Sequence, residues 1–262
     1  MQNLGILGVG ALTDKIVRGL RRSGHNKSIF LSPRNDERSA QLASDCGCKV
    51  MPSNQAVVNS ADLLIIGVRP DALPDLAAEL VIPAGKKVIS LAAGVSLDAL
   101  KRHFPDVQCV RAMLSFAAQF NQSTVVICPP DTTCEKLLLP LGKIVDLNDE
   151  ADFELATVAA CMNGWFYFFL HDLQQWLVEK GLHSDKARSL VLDNMQDCIA
   201  SARHHSAVDL KTLGQAIATP GTYTADGLDI LNHLQANAHW NAACEIVLGA
   251  LQTSSSPPNH FR

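Results

Sequence analysis

The sequence predicts an α/β protein, with an N-terminal Rossmann-like doubly wound parallel sheet followed by an all-α C-terminal domain. Three observations predict it. Short apolar runs alternate with amphipathic segments from residue 3 to about residue 147. A glycine-rich turn follows the first of those runs directly, and after Asp149 apolar residues recur every three or four positions in segments too long for strands. Strand-helix alternation implies a parallel sheet, and the later period implies helices.

The apolar runs, in order, are LGIL around Gly5, SIFL at 28–31, DLLIIGV at 62–68, KKVISLA at 86–92, VQCVRAM at 107–113, STVVIC at 123–128 and KIVDL at 143–147. Their Val, Ile and Leu content, without polar alternation, fits strands buried on both faces. Beyond residue 149, one helix is expected from about 150 to 180, stopping at Gly181, and a second from an N-cap at Ser184 to about His205. A third covers roughly 209–218, and a fourth runs from about Thr224 to Leu251 after the Pro220-Gly221 break. These signals divide the chain into a nucleotide-binding domain over 1–149, a helical substrate and dimerisation domain over 150–252, and a flexible tail, TSSSPPNHFR, over 253–262. The helices carry more apolar surface than one small bundle would bury, which predicts a homodimer or higher homo-oligomer.

Composition excludes several classes. The 262 residues are 47% hydrophobic and 18% charged, with a formal net charge of −4 and no basic run, so nucleic acid is not an expected partner. No uninterrupted apolar run approaches the roughly 20 residues of a membrane span, and the N-terminus lacks the basic region of a signal peptide. The eight cysteines are scattered without a Cys-x-x-Cys pair, and His204-His205 has no ligand partner at suitable spacing, so no metal is assigned. Free thiols, buried for the most part, point to the cytoplasm.

The segment Gly5-Ile-Leu-Gly8-Val-Gly10-Ala11-Leu12-Thr13 leaves a strand and opens a helix. That context gives a glycine motif its meaning: one glycine permits the tight turn, the next lets a pyrophosphate approach the backbone, and the helix N-terminus supplies oriented N–H donors. Thr13 stands where a third small residue is usual. The second strand ends in LSPRN, with no carboxylate to hold a ribose diol, whereas Ser32, Arg34 and Asn35 are able to contact a 2′-phosphate. NADP is therefore expected over NAD.

Taken in order, GILGVGALTDKIVRGL, GVRP at 67–70, SLAAGVSLDAL at 90–100, VRAM at 110–113 and the loop TPGTYTADGL make the chain resemble the pyrroline-5-carboxylate reductases along nearly its whole length. The resemblance implies an NADPH-dependent reductase of a cyclic imino acid, 1-pyrroline-5-carboxylate to proline, whose helical domain pairs with a second subunit's. Carried over residue by residue, it places Val68, Arg69, Pro70, Ala92, Ala93, Gly94, Ala112 and Met113 along the cofactor. Thr224 matches the last threonine of the substrate loop and faces the imine and its carboxylate. A cap on the last helix is its alternative role, and Tyr223 is a candidate hydrogen-bond donor to substrate.

The substrate side departs from the family pattern. Leu114-Ser115-Phe116-Ala117 replaces Pro-Asn-Thr-Pro, residues 160–167 replace a Ser-Gly-Ser-Gly-Pro-Ala-Tyr segment, and Thr222 and Tyr223 stand where Gly and Thr are expected. Two alternatives stay open: a reductase of another imine or carbonyl substrate, and a nucleotide-binding homologue without catalysis. A β-hydroxyacid dehydrogenase would need a lysine early in the long helix, and residues 150–179 contain none.

Overall fold

In the computed structural model, which describes residues 2–255, the first domain is built on one eight-stranded sheet. Its strands are β1 (Leu4–Leu7), β2 (Ile29–Leu31), β3 (Lys49–Val50), β4 (Leu63–Ile66), β5 (Lys87–Ser90), β6 (Gln108–Met113), β7 (Ser123–Cys128) and β8 (Gly142–Asp146). The spatial order is β3-β2-β1-β4-β5-β6-β7-β8, so successive strands are added to one side of β1 up to β3 and to its other side from β4 onward. Helices α1 (Ala11–Arg22), α2 (Asp36–Cys46), α3 (Asn54–Ser60), α4 (Leu73–Ala78), α5 (Leu97–His103) and α6 (Thr132–Leu138) connect them.

All seven expected strands form. β1 and β4 are buried along their whole length, as expected for central parallel strands between two helical layers. Two features differ from expectation. β3 is a two-residue exposed edge strand, too short to register as an apolar run. β7 runs antiparallel to β6, with Ala112 opposite Ile127, so the sheet is mixed rather than wholly parallel. The reason is length: the segment between Met113 and Ser123 is shorter than the dozen or so residues a parallel crossover needs.

Two apolar cores lie on the faces of the sheet. One joins Leu4, Ile6, Leu31, Ile65 and Val110 to Ile16, Val17 and Leu20 of α1. The other joins Leu7, Leu64, Ile66 and Val88 to Val57, Leu73, Leu76 and Leu100. Gly19 sets how closely α1 lies on the turn at 116–120, since a Cβ there would stand 2.0 Å from the carbonyl oxygen of Ala118.

The helical part comprises α7 (Glu150–Glu179), α8 (Ser184–His204), α9 (Leu210–Ile217), α10 (Tyr223–His233) and α11 (Ala236–Ser255). By compactness the chain divides into residues up to Ala160 with the end of α11 from Val247, and a second unit over Cys161–Ile246. Several local expectations are corrected. His183, not Ser184, is the N-cap of α8. The expected fourth helix is two, because Gln235 takes a left-handed conformation (φ 52°) that ends α10. Thr222, not Thr224, caps α10. Residues 253–255 of the expected tail still belong to α11, and the remainder of that tail lies outside the described residues.

By length and composition alone, α7 is apolar enough to cross a membrane, although its apolar residues are not one uninterrupted run. Its acidic first turn, with Glu150 and Asp152, and the pair His171-Asp172 divide it. Tyr167, Phe168 and Trp176 are exposed in the single chain. The cysteines are free, with Cys48, Cys128 and Cys134 buried and Cys198 exposed.

Candidate active site

A cleft of about 300 Å³ opens at the carboxyl ends of β1, β4 and β5, lined by Gly10, Ala11, Leu12, Thr13, Gly67, Val68, Arg69, Pro70, Leu91 and Ala92. It lies at the switch point of strand order, where open α/β sheets bind their ligands. The turn feeding it is shaped by Gly8, at φ 93°, where a Cβ would meet the Cγ1 of Val68 at 2.6 Å. A Cβ on Gly10 would instead find only the carbonyl oxygen of Gly67, at 3.8 Å, so that space is open to a ligand.

Thr13 locks this turn. Its Oγ1 accepts from the Gly10 N–H at 2.8 Å and its hydroxyl lies 3.1 Å from the carbonyl oxygens of both Gly8 and Gly10. The methyl group on the same carbon occupies the space left by Gly67, where a Cβ would stand 2.3 Å from Thr13 Cγ2. A threonine at the third motif position thus works because residue 67 is glycine. The opening N–H groups of α1, at Ala11 and Leu12, have no helical acceptor and form the positive end of the helix dipole, an arrangement able to hold a pyrophosphate.

The residues expected at the adenosine end separate into different tasks. Ser32 is only 1% exposed, and its Oγ accepts from the Gly8 N–H at 3.0 Å, so it braces the glycine turn. Asn35 caps α2 by accepting from the Arg38 N–H and donates from Nδ2 to the Val9 carbonyl at 3.1 Å. Arg34 is exposed and has no ion-pair partner among the described residues. Between β2 and α2, residues 32–35 include no acidic residue, and the first acids after β2 are Asp36 and Glu37 in the first turn of α2. These groups fit an NADP-type cofactor: backbone for the pyrophosphate and a free guanidinium for a 2′-phosphate.

Of the other expected cofactor residues, Val68, Arg69, Pro70 and Ala92 line the cleft, while Ala93 and Gly94 (φ 69°) form the turn that follows it. Met113 ends β6 and packs against Val126, Cys128 and Phe153, so it is not part of the cleft wall. Gly67, Thr13 and Leu91 also line the cleft, although Thr13 is expected there only as a departure at the third motif position, and Gly67 and Leu91 only as parts of the GVRP and SLAAGVSLDAL matches. Gly67 carried a signal, a glycine at the end of an apolar run; Leu91 carried none of its own.

The substrate-loop candidates lie in the second unit. Tyr223 and Thr224 open α10 and both are exposed, Tyr223 at 96%. Thr222 Oγ1 accepts from the Ala225 N–H at 3.2 Å and donates to the Thr219 carbonyl. The N–H groups of Tyr223 and Thr224 therefore remain without a protein acceptor among the described residues. Trp165 and Phe166, within the segment 160–167 where the resemblance expects small residues, gather with Phe169 around Trp240, with ring centroids 5.6–6.1 Å from that of Trp240.

This fold and cleft define an NAD(P)-dependent oxidoreductase of the Rossmann class. Residues 3–94 match the family model described as NADP oxidoreductase coenzyme F420-dependent, and residues 150–252 match that of pyrroline-5-carboxylate reductase dimerisation. The chain is 24% identical over 264 residues to a pyrroline-5-carboxylate reductase of Haemophilus influenzae, spanning 96% of each protein. Among solved structures it is similar to 1-pyrroline-5-carboxylate reductase from Streptococcus pyogenes (TM-score 0.86, 24% identity, 96% and 98% of the two chains). It is also similar to the Plasmodium falciparum pyrroline carboxylate reductase with NADP bound (TM-score 0.84, 20% identity, 97% and 98%). A reductive aminase from Aspergillus terreus, in complex with NADPH, is a more distant likeness (TM-score 0.60, 17% identity, 97% and 93%). The chain belongs to the pyrroline-5-carboxylate reductase family, as a distant, full-length member, and is an NAD(P)H-dependent reductase.

Proposed function

We propose that the chain reduces a cyclic imino acid with NADPH, the favoured reaction being 1-pyrroline-5-carboxylate to proline in proline biosynthesis. The observation that carries this reading is the cofactor cleft built on Gly8, Gly10 and Gly67 in the first unit; the second unit, by itself, carries a Pro-Gly loop that opens α10. A protonated C=N accepts hydride readily, so placement supplies most of the rate. NADPH, when bound, supplies the hydride. The protein's own part is to hold and orient. The N–H groups of Ala11 and Leu12 hold the pyrophosphate, and Arg34 holds the 2′-phosphate. Val68, Pro70 and Ala92 wall the reacting side against water. The free N–H groups of Tyr223 and Thr224, with the Thr224 hydroxyl, receive the substrate carboxylate.

A homodimer formed through the helical domain belongs to the same reading, supported by the exposed Phe166, Tyr167, Phe168 and Trp176 and by the dimerisation-family match. A cytoplasmic location is supported by the eight free cysteines. A second reading, reduction of a bulkier imine, is favoured by the aromatic group around Trp240. NADPH oxidation measured with pyrroline-5-carboxylate, six-membered ring imino acids and bulkier cyclic imines separates the two. Turnover only of imines without a carboxylate would defeat the role of the 220–224 loop. Binding of NADPH without turnover of any imine would defeat the proposal.

A further inference from the structure

Residue Arg111 is 1% exposed, yet it carries a full positive charge in the middle of a strand. Its Nη1 lies 2.8 Å from Glu150 Oε1 and 2.7 Å from Glu154 Oε1, and its Cζ stands 4.3 Å from the centre of the Phe153 ring. The Nε and Nη2 groups, and Glu154 Oε2, are buried without a partner among the described residues. One helical turn of α7 therefore supplies all the charge that compensates this guanidinium. Such a cluster is a costly way to hold a sheet domain together, since apolar residues of similar volume often do as well or better.

The same Glu150 Oε1 also accepts from the Leu97 N–H at 2.8 Å. Leu97 is the first residue of α5, and Ser96 caps that helix by accepting from the Ala99 N–H, so the Leu97 donor has no acceptor within its helix. Upstream of Leu97 lies the Ala92-Ala93-Gly94 turn, and two residues beyond Arg111 lies Met113. The ladder between β5 and β6 ends at the pair Ser90–Arg111. Beyond that pair the turn and the end of β6 share no ladder, and one carboxylate oxygen bridges the Leu97 main chain, three residues after the turn, to the Arg111 side chain, two residues before the end of β6.

We infer that Glu150 is a positioning residue for the nicotinamide end of the cofactor cleft, acting through the Leu97 main chain and the Arg111 guanidinium. This rests on the reading of the cleft as an NADPH site. In that reading the pyrophosphate lies at the start of α1 and the 2′-phosphate beside β2. The remaining half of the dinucleotide then extends over the carboxyl ends of β4, β5 and β6, where Ala92 lines the wall. Glu150 itself does not line the cleft. Its effect is on the angle at which the 92–94 turn meets the end of β6.

The test uses the full chain carrying Glu150→Ala or Glu150→Gln, with calorimetric titration of NADPH and of 2′-phospho-ADP-ribose, which lacks the nicotinamide. Glu150→Ala is expected to weaken NADPH about fivefold or more, to leave the fragment within about twofold, and to lower kcat by about tenfold, as misplacement of a bound reactant does. Glu150→Gln keeps an acceptor for Leu97 and is expected to show a smaller loss of the same kind. Equal weakening of both ligands would mean general destabilisation and would overturn the inference, as would an unchanged NADPH affinity. Should the alanine variant not fold, the glutamine variant decides: an NADPH-to-fragment ratio equal to that of the unmodified protein overturns it. An unmodified protein that binds NADPH but turns over no imine defeats the proposed reaction, and the affinity ratio still judges Glu150. One that binds no NADPH overturns both.

Discussion

Replacing Gly67 with alanine tests the account of the glycine turn most directly. The added Cβ would stand 2.3 Å from Thr13 Cγ2 and 3.0 Å from the Gly8 carbonyl oxygen. Carbon atoms pack at about 3.5–4.0 Å, so the threonine methyl must retreat by more than about an ångström. It is not free to do so. Rotation about the Cα–Cβ bond swings Oγ1 away from the Gly10 N–H that it receives at 2.8 Å. Overpacking of this kind costs roughly 1–3 kcal/mol. At about 2–4 °C per kcal/mol for a chain of this size, Tm falls by roughly 2–12 °C. If 1.4 kcal/mol of the strain reaches the turn, the Kd for NADPH rises about tenfold.

Thr13→Ser removes the offending methyl and keeps the oxygen, at an expected cost of its own near 1 kcal/mol. The double variant should then be more stable than the sum of the singles by about 1 kcal/mol or more. Thermal unfolding and fluorescence titration with NADPH supply the numbers. Strict additivity, or a Gly67→Ala protein that binds NADPH normally, would refute the view that residues 13 and 67 are fitted to each other.

Three further outcomes are expected. Arg34→Asp should weaken NADPH far more than NADH, and an unchanged preference in paired titrations would show that Arg34 does not read the 2′-phosphate. Thr222→Ala should lower stability by about 1 kcal/mol through loss of the α10 cap, whereas Thr224→Ala should leave stability nearly unchanged and raise KM for the imino acid. If Thr224→Ala proves the more destabilising of the two, the cap has been misplaced. Burial first, and the nearby Arg21 second, push the His25 imidazole below its ordinary value. The folded state then resists protonation that the unfolded chain accepts, so this contribution is present above about pH 6.5 and is lost as pH falls below it. His25→Gln should flatten the decline in Tm on acidification, and an identical decline would exclude His25 as its source.

Legibility followed the range of the interactions involved. The central strands were readable because burial on both faces leaves continuous apolar runs, and Gly8 and Gly10 because a tight turn before a helix demands them. The antiparallel β7 was readable in principle, from a connection too short to cross over, but an apolar run carries no direction. The cap of α10 fell on Thr222 rather than Thr224 because two threonines two residues apart offer the same chemistry. Backbone geometry chose between them. The break at Gln235 had no glycine or proline to announce it. Ser32 was picked out as a phosphate ligand from its place at the end of β2, and the folded chain instead turns its oxygen to the Gly8 N–H. Arg111, 39 residues before Glu150, looked like one more letter of a motif.

By itself the sequence determined the class of protein, because the period of its apolar residues and its turn-forming glycines are local properties, readable a few residues at a time. It marked the glycine turn of the cleft, Gly8 and Gly10, for the same reason. Only the tertiary structure decided that Thr13 and Gly67 are complementary, that Ser32 braces the turn, and that one oxygen of Glu150 meets both Leu97 and Arg111. Those contacts join residues tens of positions apart, and nothing in the local sequence specifies them before the chain has closed on itself.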